Sequence, residues 1–242
     1  MTTIDEMLWT CVRQRAGPRT IELRYQRPQL RASDLPSVRR DKNEIIRVVD
    51  DRRFRRTPKD RLETALALMG WGCSIYTLTF ADQFLPDSFA GVRDYWRRYA
   101  RGLVRMRGGG FPYVYVIEGL HGAHRWHIHA VLRDADFSEA DVLRHWPGGE
   151  IEDVQPLLTE ENKTFRNRAH YFTKERRDGL VIPRNVKQWV ASHSLYAEAP
   201  PLVVKKVRTG NIRSPKNVWD LETDGKTNSF GAYHYKSWIE YP

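Results

Sequence analysis

The stretch YVYVIEGLHGAHRWHIHAVL, residues 113–132, decides the fold. Its two ends, 113–118 and 126–132, are rich in β-branched and aromatic residues with an alternating pattern, which predicts two β-strands. The turn-rich segment 119–125 predicts that these strands pair as an antiparallel hairpin. The architecture of the chain then follows from what lies on either side of this hairpin.

The flanking patterns predict helices and strands in an order that suits one antiparallel sheet. We predict a helix over 59–70, a strand over 73–80, an amphipathic helix over 88–107, a helix capped by Ser138, a short strand over 150–154, a helix over 160–177 and a short helix over 184–193. The order strand, helix, strand, strand, helix, strand, helix is the split βαβ pattern. The predicted fold class is therefore α+β, with a ferredoxin-like or RRM-like antiparallel sheet and its helices on one face.

The positive charge of the chain lies at its two ends. The net charge of +10 comes from residues 1–61, with 16 Lys and Arg against 9 Asp and Glu, and from residues 201–242, with 7 against 4. Residues 62–200 carry 17 charges of each sign. Because neutralising phosphates releases counterions, basic flanks favour a nucleic-acid partner over the alternative of ordinary solubility charge.

Charge and pattern together predict three segments. Residues 1–58 would form a basic N-terminal arm that is partly helical, for example over 42–50, or disordered without a partner. Residues 59–195 would form the folded domain that carries the chemistry. Residues 196–242 would form a basic C-terminal extension.

Several classes of protein are excluded by composition. No segment approaches the ~20 consecutive apolar residues of a membrane span, and Asp5 and Glu6 argue against a secretory signal. Two cysteines, Cys11 and Cys73, are too few for a disulfide framework or a cysteine zinc site. We therefore expect a cytoplasmic protein with no membrane partner.

Two histidines on the second strand of the hairpin are candidate metal ligands. His127 and His129 lie two residues apart, so both would project from the same face of the strand. Glu118 ends the neighbouring strand and could add a carboxylate. Two imidazoles and one carboxylate leave coordination positions open, as a catalytic metal needs. The alternative is that the histidines are ordinary surface residues of a strand.

A tyrosine and a lysine further along the chain are candidate catalytic residues. Tyr171 and Lys174 are three residues apart, so they would share one face of a helix. A phenol is a weak nucleophile at its usual pKa of ~10, but a metal ion and an ammonium group would favour the phenolate. Alternatively, Tyr171 only packs its helix against the sheet.

Basic residues near these candidates could contact DNA. Those on the amphipathic helix could instead form a solvated face that binds nothing. The candidate DNA contacts are Arg97, Arg98, Arg101, Arg105 and Arg125.

Taken in order, these motifs resemble the HUH endonuclease superfamily, and specifically the rolling-circle Rep proteins of phages and plasmids. The likeness rests on the strand Tyr76-Thr-Leu-Thr-Phe80, on His127-Ile-His129 with Glu118, and on Tyr171-Phe-Thr-Lys174. It covers about residues 71–180. Residues 167 and 175 are Asn and Glu, so no second tyrosine lies one turn from the first, and the resemblance is to the single-tyrosine class.

The resemblance implies a reaction and a role for each residue. His127, His129 and Glu118 would bind Mg²⁺ or Mn²⁺. Tyr171 would attack a phosphodiester of single-stranded origin DNA, leaving a 5′-phosphotyrosine and a free 3′-OH that primes replication, and Lys174 would position the phosphate or the ion. No complete ATPase phosphate loop is present, since the glycine expected at position 220 is Asp, so a host helicase and polymerase are the expected partners.

Two alternatives to a replication initiator stay open. A single-tyrosine transposase or a relaxase would use the same chemistry, although relaxases usually place the tyrosine ahead of the histidines. A nonenzymatic RRM-like protein would bind nucleic acid on stacking aromatics, whereas the open face here offers His127 and His129.

Overall fold

The computed structural model describes residues 7–28, 58–119, 125–174, 186–198, 202–208, 216–228 and 231–241. The chain divides into two compact units. The central unit is Leu62–Pro200, and the terminal unit combines Met1–Arg61 with Pro201–Pro242.

Ten strands and five α-helices occur in the described residues. The strands are β1 Met7–Ala16, β2 Arg19–Pro28, β3 Cys73–Phe80, β4 Tyr113–Glu118, β5 His127–Arg133, β6 Gly149–Pro156, β7 Trp189–Ala191, β8 Leu202–Arg208, β9 Val218–Asn228 and β10 Gly231–Glu240. The helices are α1 Pro58–Met69, α2 Phe89–Arg107, α3 Glu139–His145, α4 Phe165–Phe172 and α5 His193–Glu198. Among these helices, none combines the length and the apolar composition that crossing a membrane requires.

The predicted hairpin is confirmed and lies inside the sheet of the central unit. The strand order of this antiparallel sheet is β6-β3-β5-β4-β7. Glu118 of β4 lies opposite His127 of β5, and Val116 lies opposite His129. On the other side of β5, Thr77 of β3 also lies opposite His129. This register brings the polar positions of three strands together at one end of one face.

The opposite face of the sheet forms the main hydrophobic core. Strand residues such as Leu78, Ile117 and Ile128 pack there against residues of α2 and α3, of which Trp96 is 1% exposed. The two helices are tied together by the Tyr99 hydroxyl, which donates a hydrogen bond of 3.1 Å to the Val142 carbonyl. As predicted, this helix-covered face and the face that carries the histidines are different faces.

The prediction that all helices lie on one face is wrong. The ring of Phe172 in α4 lies 5.2 Å from the ring of His129, so α4 packs on the histidine face. Phe165, Ala169 and Phe172 form a buried stripe along α4. This stripe needs an apolar surface, and α2 and α3 already cover the opposite face of the sheet.

Two predicted helices differ from the structure. The helix predicted over 160–177 begins at Phe165, because the Thr164 side chain accepts a hydrogen bond from the Asn167 amide and caps it; residues 175–177 lie outside the described residues. Within the segment 184–193, Trp189–Ala191 forms β7 instead, since it pairs with the backbone of β4, and the helix α5 begins at His193.

The flanks of the chain also differ from the predicted arms. Both contribute strands to one antiparallel sheet, whose order is β8-β1-β2-β10-β9. Their pairing joins residues far apart in sequence, for example Tyr25 and Tyr233. Local sequence patterns do not reveal such pairing. The helix predicted over 42–50 lies outside the described residues.

Gly119 permits the sharp exit from β4 after Glu118. Its φ is +103°, and a Cβ atom there would lie 2.9 Å from the Arg125 carbonyl oxygen and from the Trp126 Cα. We expect Gly119→Ala to lower the free energy of unfolding by about 1–3 kcal/mol, because both the backbone strain and the clash oppose the native turn. Urea denaturation measures this change.

Gly109→Ala is the matched control, since a Cβ atom at Gly109 would meet nothing within 4 Å. It should change the unfolding free energy by less than about 0.5 kcal/mol. Equal effects of the two substitutions would contradict the role assigned to Gly119.

Candidate metal centre and nucleophile

The three predicted metal ligands come together at the end of the β4–β5 pair. One ligand atom each from Glu118, His127 and His129 lies within 4.8 Å of the others. The Nε2 atom of His127 is 3.1 Å from Oε2 of Glu118, and the Nε2 atom of His129 is 3.5 Å from the same oxygen. Adjacent strands and a two-residue spacing therefore point two imidazoles and one carboxylate at a common position.

Both imidazoles are oriented from behind. The Nδ1 atom of His127 lies 3.0 Å from the Arg125 carbonyl oxygen, which only accepts, so Nδ1 donates and Nε2 faces Glu118. The Nδ1 atom of His129 lies 3.2 Å from the Thr77 hydroxyl, and both residues are buried. Partners of this kind hold metal-ligating histidines in one orientation and tautomer. Our sequence reasoning did not identify Thr77 as such a partner, although it lies in the strand motif.

Two buried atoms of the cluster suggest that a cation belongs there. Oε1 of Glu118 and Nε2 of His129 have no hydrogen-bond partner among the described residues. Leaving buried polar atoms unpaired costs about 1–3 kcal/mol each. A divalent ion would satisfy both, and imidazole nitrogens with a carboxylate oxygen are a donor set that divalent metals accept. The residues therefore fit a metal ion, whose identity this donor set does not decide.

Electrostatics around Glu118 favour its charged form. Burial raises its pKa, but hydrogen bonds from His127, His129 and Lys174 outweigh burial and leave the pKa well below the usual range. Burial lowers the pKa of His127, yet its hydrogen bond to Glu118 gives a net rise. His129 is buried more deeply, and its pKa falls. Glu118 is therefore an anion that attracts positive charge from its surroundings.

Lys174 is the third positive partner of Glu118. Its Nζ atom is 2.9 Å from Oε2 of Glu118 and lies 4.3 Å from the centre of the Tyr171 ring. Burial lowers the Lys174 pKa, but the hydrogen bond to Glu118 raises it overall. The predicted pair of Tyr171 and Lys174 thus lies beside the predicted metal ligands, with an ammonium group between the phenol and the carboxylate.

Tyr171 is accessible on the sheet side of α4. It is 44% exposed, and its ring lies 6.0 Å from that of His129. The next residue, Phe172, is buried and anchors the last turn of the helix. An accessible phenol beside a buried metal-ligand cluster is the arrangement that attack on an extended substrate requires.

Arg168 anchors α4, although our sequence analysis did not single it out. It is 4% exposed, and its guanidinium donates hydrogen bonds of 2.7 Å to the Leu157 carbonyl and 3.0 Å to the Pro156 carbonyl. Its position was visible in the sequence, because residues 165, 168, 169 and 172 follow helical spacing. Arg168 lies three residues before Tyr171, so this anchor fixes where the phenol can lie.

The predicted DNA-contacting arginines do not join this cluster. Arg97, Arg98 and Arg101 belong to α2, which covers the opposite face of the sheet. These three arginines line a groove of about 1070 Å³ there, and Arg105 is exposed on the same helix. Arg125 lies next to the site but binds the Phe80 carbonyl at 2.7 Å and Asp82 at 2.5 Å. Contact of these five residues with DNA stays a prediction.

Metal binding can be tested without any DNA. We expect His129→Gln to weaken Mn²⁺ binding at least tenfold, because it removes a ligand whose Nε2 atom faces the cluster. Isothermal titration calorimetry measures the affinity. His145→Gln is the control, since His145 is exposed at the end of α3 and lies outside the cluster. Unchanged affinity in His129→Gln would contradict the metal centre.

Comparison with known proteins agrees with this site. Residues 73–176 match a family model of replication-associated proteins of the ORF2 type. The match runs from β3 to just past Lys174 and contains Glu118, His127, His129 and Tyr171. No curated protein and no solved structure matches the chain. Over these residues, the chain is similar to replication-associated proteins of this family, which is consistent with a protein of the rolling-circle Rep type.

Proposed function

We propose that this protein is a metal-dependent endonuclease that nicks and rejoins single-stranded DNA at a replication origin through a 5′-phosphotyrosine. One observation carries the proposal: the exposed phenol of Tyr171 and the ammonium of Lys174 lie beside a buried Glu/His/His cluster. The likeness of residues 73–176 to replication-associated proteins supports a role in initiating replication. It also supports binding to origin DNA.

The sheet of the central unit supports the same assignment. Its strands β6-β3-β5-β4 are the fourth, first, third and second strands of the predicted split βαβ unit. We infer a ferredoxin-like sheet of the HUH type from this order. Such a sheet leaves the ends of its two middle strands on one face for ligands, and α4 brings the phenol to that face.

Each residue then has a defined task in the reaction. A Mg²⁺ or Mn²⁺ ion held by Glu118, His127 and His129 would polarise the scissile phosphate. The Tyr171 oxygen loses its proton and attacks phosphorus, forming the phosphotyrosine bond. The bond from phosphorus to the 3′ oxygen breaks, and that oxygen takes up a proton to become the free 3′-OH. The Lys174 ammonium offsets negative charge on the phosphate during the transfer.

Rejoining is the same reaction in reverse. A 3′-OH attacks the phosphotyrosine, restores the phosphodiester and returns the phenol of Tyr171. We propose that a host helicase and a host polymerase act between the two steps, since the chain holds no complete ATPase phosphate loop. A transposase or a relaxase would use the same two steps, so these alternatives differ in substrate and not in site chemistry.

A labelled single strand tests the nucleophile and its polarity. Incubation of a pool of single-stranded oligonucleotides with the protein and Mn²⁺ should give a covalent adduct on a denaturing gel. A 3′-end label should travel with the protein, whereas a 5′-end label should appear on a shorter fragment that a polymerase extends. Tyr171→Phe should abolish the adduct, because the attacking oxygen is absent.

Tyr196→Phe is the matched control, since Tyr196 is similarly exposed at 40% and lies on α5. It should leave adduct formation unchanged. An adduct that persists in Tyr171→Phe, or one that carries the 5′ label, would overturn the assignment. DNA binding without an adduct under any divalent ion would favour a nonenzymatic RRM-like protein.

A further inference from the structure

The division into two units coincides with a division in formal charge. The central unit, Leu62–Pro200, carries 17 basic and 17 acidic residues. The segments of the terminal unit carry 16 basic residues against 9 acidic ones in Met1–Arg61, and 7 against 4 in Pro201–Pro242. The entire net charge of +10 therefore belongs to the unit that lacks the candidate metal centre.

Strand pairing in the terminal unit gathers part of this charge on one face. Arg13 lies opposite Glu22, and Glu22 lies opposite Lys236 on the other side of β2. Lys205 of β8 lies opposite Arg13. These four positions form one row across β8, β1, β2 and β10, with neighbouring strands about 4.8 Å apart. The row holds three basic positions and a single acidic one.

The next row on the same face adds to the basic character. Positions two residues apart along a strand share a face, so Arg24 belongs with Glu22, and His234 belongs with Lys236. Arg24 and His234 lie opposite one another. We call the positions Arg13, Arg24, Lys205, Lys236 and His234 the basic face. Arg13 and His234 are exposed.

The opposite face of this sheet has another character. Its positions include Val12, Ile21, Leu23 and Ile239, which alternate with those of the basic face, and Ile239 is 3% exposed. An apolar face and a basic face on one sheet indicate that the two faces have different partners. The apolar positions suit protein packing, which leaves the basic face for a charged partner.

The arrangement of like charges needs a partner to offset it. Like charges directly opposite each other in a sheet destabilise it, and Lys205 lies opposite Arg13. The one acid in the row, Glu22, already forms an ion pair with Arg13. A linear polyanion, with a charge every few ångströms, would neutralise this face.

We propose that the terminal unit is a DNA-binding module whose basic face contacts the phosphate backbone, separately from the chemistry of the central unit. Contacts to phosphates alone position DNA without reading its sequence. This role goes beyond the proposed nicking activity and does not depend on it, because it needs neither a metal ion nor Tyr171. The DNA class we assign to this face is duplex, since the central unit is proposed to take the single strand.

Fluorescence anisotropy of the full chain with a 30-base-pair duplex of arbitrary sequence, in EDTA at several salt concentrations, tests the module. The variant Lys205→Gln/Lys236→Gln removes two basic positions and leaves the ion pair of Arg13 with Glu22 intact. We expect the slope of log affinity against log salt to fall in size by about two, one for each lost phosphate contact. Affinity at low salt falls with it.

Two control variants separate this role from charge in general and from folding. Arg144→Gln/Lys163→Gln removes two exposed charges from the central unit and should leave the salt slope unchanged. Lys205→Arg/Lys236→Arg keeps the charge and should bind like the unaltered protein. An equal loss in the central-unit variant, a loss in the Arg variant as large as in the Gln variant, or an unchanged slope in the Gln variant would overturn the proposal.

The two proposals also fail separately. The rate of adduct formation on a saturating single-stranded oligonucleotide should be the same in Lys205→Gln/Lys236→Gln as in the unaltered protein. Loss of duplex binding with normal adduct formation supports the module. If no adduct forms with any variant, the nicking proposal fails and the duplex measurement still decides the role of the basic face.

Discussion

The burial of one negative charge organises the candidate site. The side chain of Glu118 is only 2% exposed, and a buried carboxylate is costly unless positive charge and hydrogen-bond donors surround it. His127 and His129 approach from the neighbouring strand, and Lys174 approaches from beyond α4. The pairing of β4 with β5 and the docking of α4 are thus linked through a single carboxyl group.

The same constraint explains why the cluster suits a metal ion. In the absence of an ion, the proton on His127 and the ammonium of Lys174 balance the charge of Glu118, but Oε1 of Glu118 and Nε2 of His129 find no partner in the described part of the chain. A divalent cation supplies what these two atoms lack. Lys174 then lies beside Tyr171, where its charge can act on a bound phosphate instead.

The sheet of the central unit separates stability from chemistry. One face packs against the aromatic residues of α2 and α3, so its strands are held by a large core. The other face carries the polar cluster at one end and is covered by the short helix α4, which is itself anchored by Arg168. A rigid sheet below a small, well-anchored helix keeps the ligands and the phenol in register.

Local pattern in the sequence was enough to predict the hairpin, the three metal ligands and the pair of Tyr171 and Lys174. Strand alternation and helical spacing are properties of neighbouring residues, so they can be read from the chain alone. Only the tertiary structure decided that α4 covers the histidine face, that Lys174 reaches Glu118, and that the two ends of the chain form one sheet. These features depend on contacts between residues far apart in sequence, whose energies local propensity does not contain.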